Sequence, residues 1–195
     1  MKKMEKILFV NACVRPESRT AGLARYLLEK MEGQVTELKL GDEDIRTLDL
    51  ESLNRRNDLI EKKEFSDDMF RYARQFGTVD TVVIAAPYWD MSFPAMVKAY
   101  VEAIMVQGLT FHYTEEGIPQ GLTNIKKVIY VTTAGGPIGD YNMGFDYIKA
   151  LFGTFYNVTD VTCHKAEMLD VIGMDVESIL QETRDEIDEV YGEKQ

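Results

Sequence analysis

Four residues able to grip a phosphate stand close together near the start of the chain: Arg15, Ser18, Arg19 and Thr20. They follow the apolar run 7–10 and precede a segment of helical periodicity. Backbone N–H groups free at a helix start, two hydroxyls, the helix dipole and guanidinium groups together suit a phosphate. The competing reading is that the hydroxyls only cap the helix and the arginines are solvated. A second group, Pro87-Tyr88-Trp89-Asp90-Met91-Ser92-Phe93-Pro94, presents aromatic and polarizable side chains in succession. Strand alternation cannot bury them all in one core. They suit the face of a planar heterocycle, or else a core or subunit interface. The third group, Thr132-Thr133-Ala134-Gly135-Gly136, offers backbone N–H groups with no side chain to block a ligand, or an ordinary turn.

The elements that must position these groups can be read from periodicity. Residues 7–10 and 82–86 are continuously apolar, as in parallel strands buried on both faces. Residues 35–40, 128–133 and 158–163 complete five expected strands, the last ending at Cys163. Thr20 is placed to cap a helix carrying Leu23, Tyr26, Leu27 and Met31, with Gly33 as its stop. Residues 41–64 form a charged excursion that keeps Leu48, Leu50, Leu53 and Leu59. Ser66 begins a helix with Met69, Phe70, Ala73 and Phe76, ended by Gly77. Another helix carries Met96, Val97, Tyr100, Ile104 and Met105. Residues 107–124 read as loops with a hairpin around 111–113, and helices are expected at 145–155 and 176–190.

Alternating strands and helices imply an α/β domain, a flavodoxin-like three-layer sandwich whose parallel five-stranded sheet has the order 2-1-3-4-5. The whole chain, 1–195, reads as one such domain: no repeat, low-complexity tract or linker divides it. In such sheets ligands bind beyond the carboxyl ends of the strands, at the topological switch point. The three groups all fall on that edge. A phosphate site, a planar-ring wall and backbone donors together describe FMN.

Composition excludes several other functions. With 22 Lys+Arg against 33 Asp+Glu the net charge is −11, which gives no general attraction to nucleic acid or anionic membranes. Cys13 and Cys163 form no CxxC pair, and two histidines, His112 and His164, give no zinc-ligand spacing, so no metal site is expected. No P-loop or GxGxxG motif occurs, and no Ser/His/Asp or Cys/His arrangement suggests a nucleophile. Lys2, Lys3 and Lys6 before 7–10 imitate a secretion signal, but the apolar run is too short, and no segment approaches a membrane span. A cytoplasmic location is therefore expected.

The sequence resembles the flavodoxin-like FMN-dependent NAD(P)H:quinone oxidoreductases, especially the FMN-dependent NADH-azoreductases. Residues 86–94 are similar to the family segment APMYNFNIP, and residues 108–117, GLTFHYTEEG, to GxTFRYTxxG. Thr132–Gly136 resembles TSRGG and residues 157–160 resemble GITD, all in the family order. The resemblance implies that Ser18, Arg19 and Thr20 hold the FMN phosphate with Arg15 nearby. Residues Pro87, Tyr88, Trp89, Asp90 and Met91 would line the isoalloxazine, and Thr133, Ala134, Gly135 and Gly136 its pyrimidine edge. Asp90, Met91 and Ala134 replace the family's Asn, Phe and Arg. An ionised Asp90 facing the ring would lower the flavin potential, whereas backbone contact alone would leave the change silent.

The same resemblance implies ping-pong chemistry, with NADH or NADPH reducing the flavin and an aromatic acceptor, a quinone or azo compound, reoxidising it. Phe111, Tyr113 and Tyr141 are the expected acceptor-side wall, contributed across a homodimer interface, or else plain packing. A flavodoxin-type electron carrier and a non-enzymatic flavin sensor are the alternatives.

Overall fold

Ile7-Leu8-Phe9-Val10 is apolar at every position because β1 (Lys6–Asn11) is buried on both faces. The computed structural model describes residues 4–192, so Lys2 and Lys3 of the signal reading lie outside the described residues. After β1 come α1 (Arg19–Glu29), β2 (Gln34–Lys39), α2 (Leu50–Glu61), α3 (Arg71–Phe76), β3 (Thr81–Ala85) and α4 (Ala95–Ile104). The chain continues through β4 (Phe111–Tyr113), β5 (Pro119–Gly121), β6 (Lys127–Thr133), α5 (Met143–Tyr156), β7 (Asp160–Ala166) and α6 (Val176–Tyr191).

Five strands form one parallel sheet in the order β2-β1-β3-β6-β7. That is the spatial order expected from the sequence. The numbering shifts because the antiparallel hairpin β4–β5 stands apart from the sheet.

Period-two alternation distributes the core between two layers. Leu8, Val10, Val82, Ile84, Val128 and Tyr130 point to one side, where they meet Phe76, Val97, Tyr100 and Phe152 of α3, α4 and α5. Ile7, Phe9, Val83, Ala85, Ile129 and Val131 point to the other, against Leu23 and Leu27 of α1 and Leu180 and Ile187 of α6. Each such fully buried large side chain contributes about 1.5–3 kcal/mol through burial. The β4–β5 hairpin lies so close to the end of α5 that a Cβ at Gly121 would sit 2.8 Å from Tyr156 Cα.

Several boundaries differ from expectation. Ser18, not Thr20, caps α1, accepting the Ala21 N–H at 3.2 Å. Thr20 instead bonds the Thr133 hydroxyl at 2.6 Å, tying α1 to the end of β6. The helix ends at Glu29, before Gly33, which marks a close approach: a Cβ there would meet the Glu5 carbonyl at 2.8 Å. Asp67, not Ser66, opens the helical turn that leads into α3. The last strand runs later than 158–163. Asn157 closes α5 at φ 55°, Val158 turns into the core, and pairing with β6 extends from Asp160 to Ala166, leaving Cys163 mid-strand.

Candidate functional site

The loops after β1, β3 and β6 meet at the carboxyl edge of the sheet around a cavity of about 280 Å³. Arg15, Ser18, Arg19, Thr20, Pro87, Tyr88, Trp89, Thr133, Ala134 and Gly135 line it. Ten of the thirteen residues expected to bind the cofactor are thus brought together. Asp90, Met91 and Gly136 lie just outside the lining.

The β1–α1 end offers groups that suit an anion, although the carboxylates Glu17 and Asp170 also line the cavity. Ser18 caps α1 through Ala21, so the amides of Arg19 and Thr20 have no acceptor among the described residues. The first turn of α1 holds no acidic side chain, whereas α2, α5 and α6 carry Glu51, Asp146 and Glu177 there. Unpaired N–H groups at the positive end of a helix attract phosphate. Cys13 lines the cavity, and burial pushes its thiol pKa up, which disfavours the thiolate.

The β3–α4 end is built as a platform. Sheet pairing continues past β3: Ala86 and Tyr88 donate N–H bonds to Val131 and Thr133 at 3.0 Å. Trp89 and Ser92 then exchange backbone bonds of 3.0 and 2.8 Å, closing a two-residue hairpin turn. Its central residues, Asp90 and Met91, both have positive φ, 52° and 67°. This is the primed turn geometry, which Asn, Asp and Gly accept and Met accepts at a cost. The turn leaves Trp89 41% and Met91 44% exposed beside the cavity. Asp90 therefore serves the turn with its backbone, and its carboxylate lies outside the cavity lining. The Tyr88 hydroxyl donates to the Tyr141 carbonyl at 2.9 Å, bracing the platform against the loop that precedes α5.

At the third loop Ala134 donates to the Ala166 carbonyl, while Gly135 and Gly136 donate to no acceptor among the described residues. Their amides remain available to a ligand. The three residues expected at an acceptor-side wall or in plain packing take different positions in this chain. Phe111 is buried against Phe155 and Tyr113 at centroid distances of 5.2 and 5.5 Å, so it is a core residue of the hairpin. Tyr113 and Tyr141 are exposed, and neither lines the cavity.

Leu169 and Asp170 belong to the site and were not anticipated. The segment after β7 folds back on the glycine loop, with Leu169 and Asp170 donating to the Ala134 and Gly135 carbonyls at 3.1 and 2.9 Å. Asp170 also pairs with Arg19 at 2.8 Å. No spacing signals a contact 151 residues away. A larger cavity, about 490 Å³, lies between the 44–56 stretch, α3 and α4, and none of the loops after β1, β3 and β6 lines it. The smaller one holds the anion donors and the aromatic platform, which makes it the functional candidate.

A parallel sheet that gathers a helix-start anion site, an aromatic platform and free glycine amides at its switch point defines an α/β protein of the flavin-nucleotide type. The donor set fits FMN, with acceptor-binding groups at the phosphate end and backbone donors at the ring end. The chain belongs to the family described as having the flavodoxin-like fold, which matches residues 5–190. It is 39% identical over 194 residues to FMN-dependent NADH:quinone oxidoreductase 2 of Clostridium acetobutylicum, covering 92% of this chain and 94% of that protein. It is 37% identical over 191 residues to the FMN-dependent NADH:quinone oxidoreductase of Lachnoclostridium phytofermentans, covering 93% and 96%. The azoreductase of Bacillus anthracis str. Sterne superposes with a TM-score of 0.83 at 25% identity, over 97% of this chain and 99% of that one.

Proposed function

We propose that this protein binds FMN and passes two electrons from NADH to quinone or azo acceptors. The observation that carries the proposal is the convergence in one cavity of the unpaired α1 amides and Arg19, the Pro87–Trp89 platform and the Gly135 amide. Full-length similarity to FMN-dependent NADH:quinone oxidoreductases supports it.

Bound FMN would supply reversible two-electron hydride chemistry. Ser18, Arg19 and Thr20 hold its phosphate, with Arg15 at the rim. Pro87, Tyr88 and Trp89 set the plane of the ring system, while Met91 at the hairpin tip limits solvent access. Gly135, with Gly136 just beyond the lining, would offer backbone N–H groups to the pyrimidine end of the ring. No side chain of this site is needed as a nucleophile. Both thiols are raised by burial, Cys163 to about 12.

NADPH is the alternative donor. The cavity, about 280 Å³, falls just short of the usual range for small-molecule sites, about 300 Å³ and upward, which is consistent with a wall supplied from elsewhere. A second copy of this chain supplies it, with exposed Tyr113 and Tyr141 as contributing residues. The enzyme works in the cytoplasm; among the described residues no helix is long and apolar enough to cross a membrane.

The test is the visible spectrum of FMN-reconstituted, desalted protein, followed anaerobically through addition of NADH and then quinone. Flavin bands that bleach and return support the proposal. Retained bands that neither NADH nor NADPH bleaches would indicate a carrier or sensor instead, and loss of flavin on desalting defeats the cofactor assignment.

A further inference from the structure

The cavity assigned to the phosphate already contains an anion. Arg19 occupies the first position of α1, where the helix dipole repels a cation. The α2, α5 and α6 starts instead carry a carboxylate within the first turn, as the dipole favours. At α1 the compensating charge comes instead from Asp170, in the segment after β7. Its Oδ1 accepts from Arg19 Nη1 at 2.8 Å, and the Leu169 carbonyl accepts from the same nitrogen at 3.3 Å. Its other oxygen lies flush against the glycine loop: a Cβ on Gly135 would sit 2.4 Å from Asp170 Oδ2. The space that Gly135 opens is therefore filled by a carboxylate, held further by the Asp170 N–H to the Gly135 carbonyl.

We propose that Asp170 is an internal counter-anion that competes with the cofactor phosphate for Arg19 and so sets how tightly the phosphate end is held. The inference rests on reading this cavity as the FMN site. A carboxylate and a phosphate are both acceptors, and side by side on one guanidinium they repel each other. The side chains of the Arg19–Asp170 pair are 43% and 67% exposed, so releasing it costs little and an incoming phosphate can take its place. The residual repulsion then weakens the phosphate contact. The opposite reading, that Asp170 only holds Arg19 in position, predicts the opposite sign on removal of its charge.

The experiment measures FMN dissociation constants by flavin fluorescence quenching on apo protein: wild type, Asp170→Asn, Arg19→Ala and the double variant. Each is titrated at low salt and at about 0.5 M salt, where surface charges are screened. Asp170→Asn is expected to bind FMN about three- to tenfold more tightly at low salt. The gain should shrink at high salt and largely vanish when Arg19 is absent. Melting of the ligand-free variant should stay near that of wild type, which separates competition from general loosening. Unchanged or weaker binding by Asp170→Asn, while wild type binds FMN, overturns this proposal and leaves the cavity assignment intact. If neither wild type nor any variant binds FMN, the cavity assignment falls and the proposal falls with it.

Discussion

The loops after β1 and β3 face the same cavity but are made by opposite means. The β1–α1 loop is unstrained: Ser18 has an extended backbone, its hydroxyl caps the helix, and function comes from groups left unpaired. The β3–α4 loop is strained: Asp90 and Met91 both sit at positive φ so that Trp89 and Ser92 can pair. An anion needs only a few donors and a field, which any helix start supplies. A planar ring needs a wall at a set angle, and here that angle is held by a tight turn whose second central residue is not glycine. The two loops therefore divide the work between affinity and orientation.

Perturbing each loop separately sharpens this division. Arg19→Ala should cost the most, about 1.5–3 kcal/mol of FMN affinity for a lost charged hydrogen bond, while the absorption shape of bound flavin stays unchanged. Unaltered affinity in equilibrium titration would remove Arg19 from the phosphate site. Ser18→Ala should lower folding stability by about 1 kcal/mol through loss of the cap, detectable by urea denaturation of the apo protein. Met91→Gly should act in the other direction, raising stability by about 0.5–1 kcal/mol as the turn strain is relieved, offset partly by glycine's chain entropy. Its phosphate affinity should hold while the bound flavin spectrum broadens. A destabilised Met91→Gly protein would break the comparison, since the turn would then not be strained.

His164 serves as a control outside the cavity lining. Burial lowers its pKa below 6.5, and among the described residues Nε2 has no hydrogen-bond partner beside the Tyr191 ring at 5.6 Å. The unfolded chain therefore binds a proton more readily than the folded one as pH falls through about 6.5. Stability should be flat above that pH and decline below it. His164→Phe should show a smaller fall in melting temperature between about pH 7.5 and 5.5 than wild type, without change in FMN affinity. Equal pH slopes in the two proteins would refute the assignment.

Legibility in the sequence followed the range of the forces involved. The buried strands 7–10, 82–86 and 128–133 were readable because a sheet covered on both faces demands uninterrupted apolar residues. The hairpin at 111–113 was readable from its surrounding glycines. The helix cap was misplaced by two residues because Ser18 and Thr20 are chemically equivalent caps. Only the nearness of Thr133 assigns Thr20 to the sheet. The resemblance leaves Phe111 with two readings, an acceptor-side wall or plain packing, and only the tertiary structure shows it packed against Phe155. The positive-φ pair at Asp90 and Met91 is hard to read from sequence, since Asp90 suits a primed turn but Met91 stands where its signal calls for glycine.

Local composition and periodicity by themselves determined the α/β class, the strands of the sheet and the three loops at its carboxyl edge, because these depend on neighbours a few positions apart. The resemblance carried by residues 86–94, 108–117 and 132–136 supplied the cofactor and reaction class. Tertiary structure alone decided which ten of the thirteen candidates converge on one cavity, and it added Leu169 and Asp170. A loop 151 positions from Arg19 lies 2.8 Å away only after five strands have paired in parallel. Nothing in the chain's local pattern encodes that distance, because parallel pairing joins residues whose separation is set by intervening helices rather than by spacing.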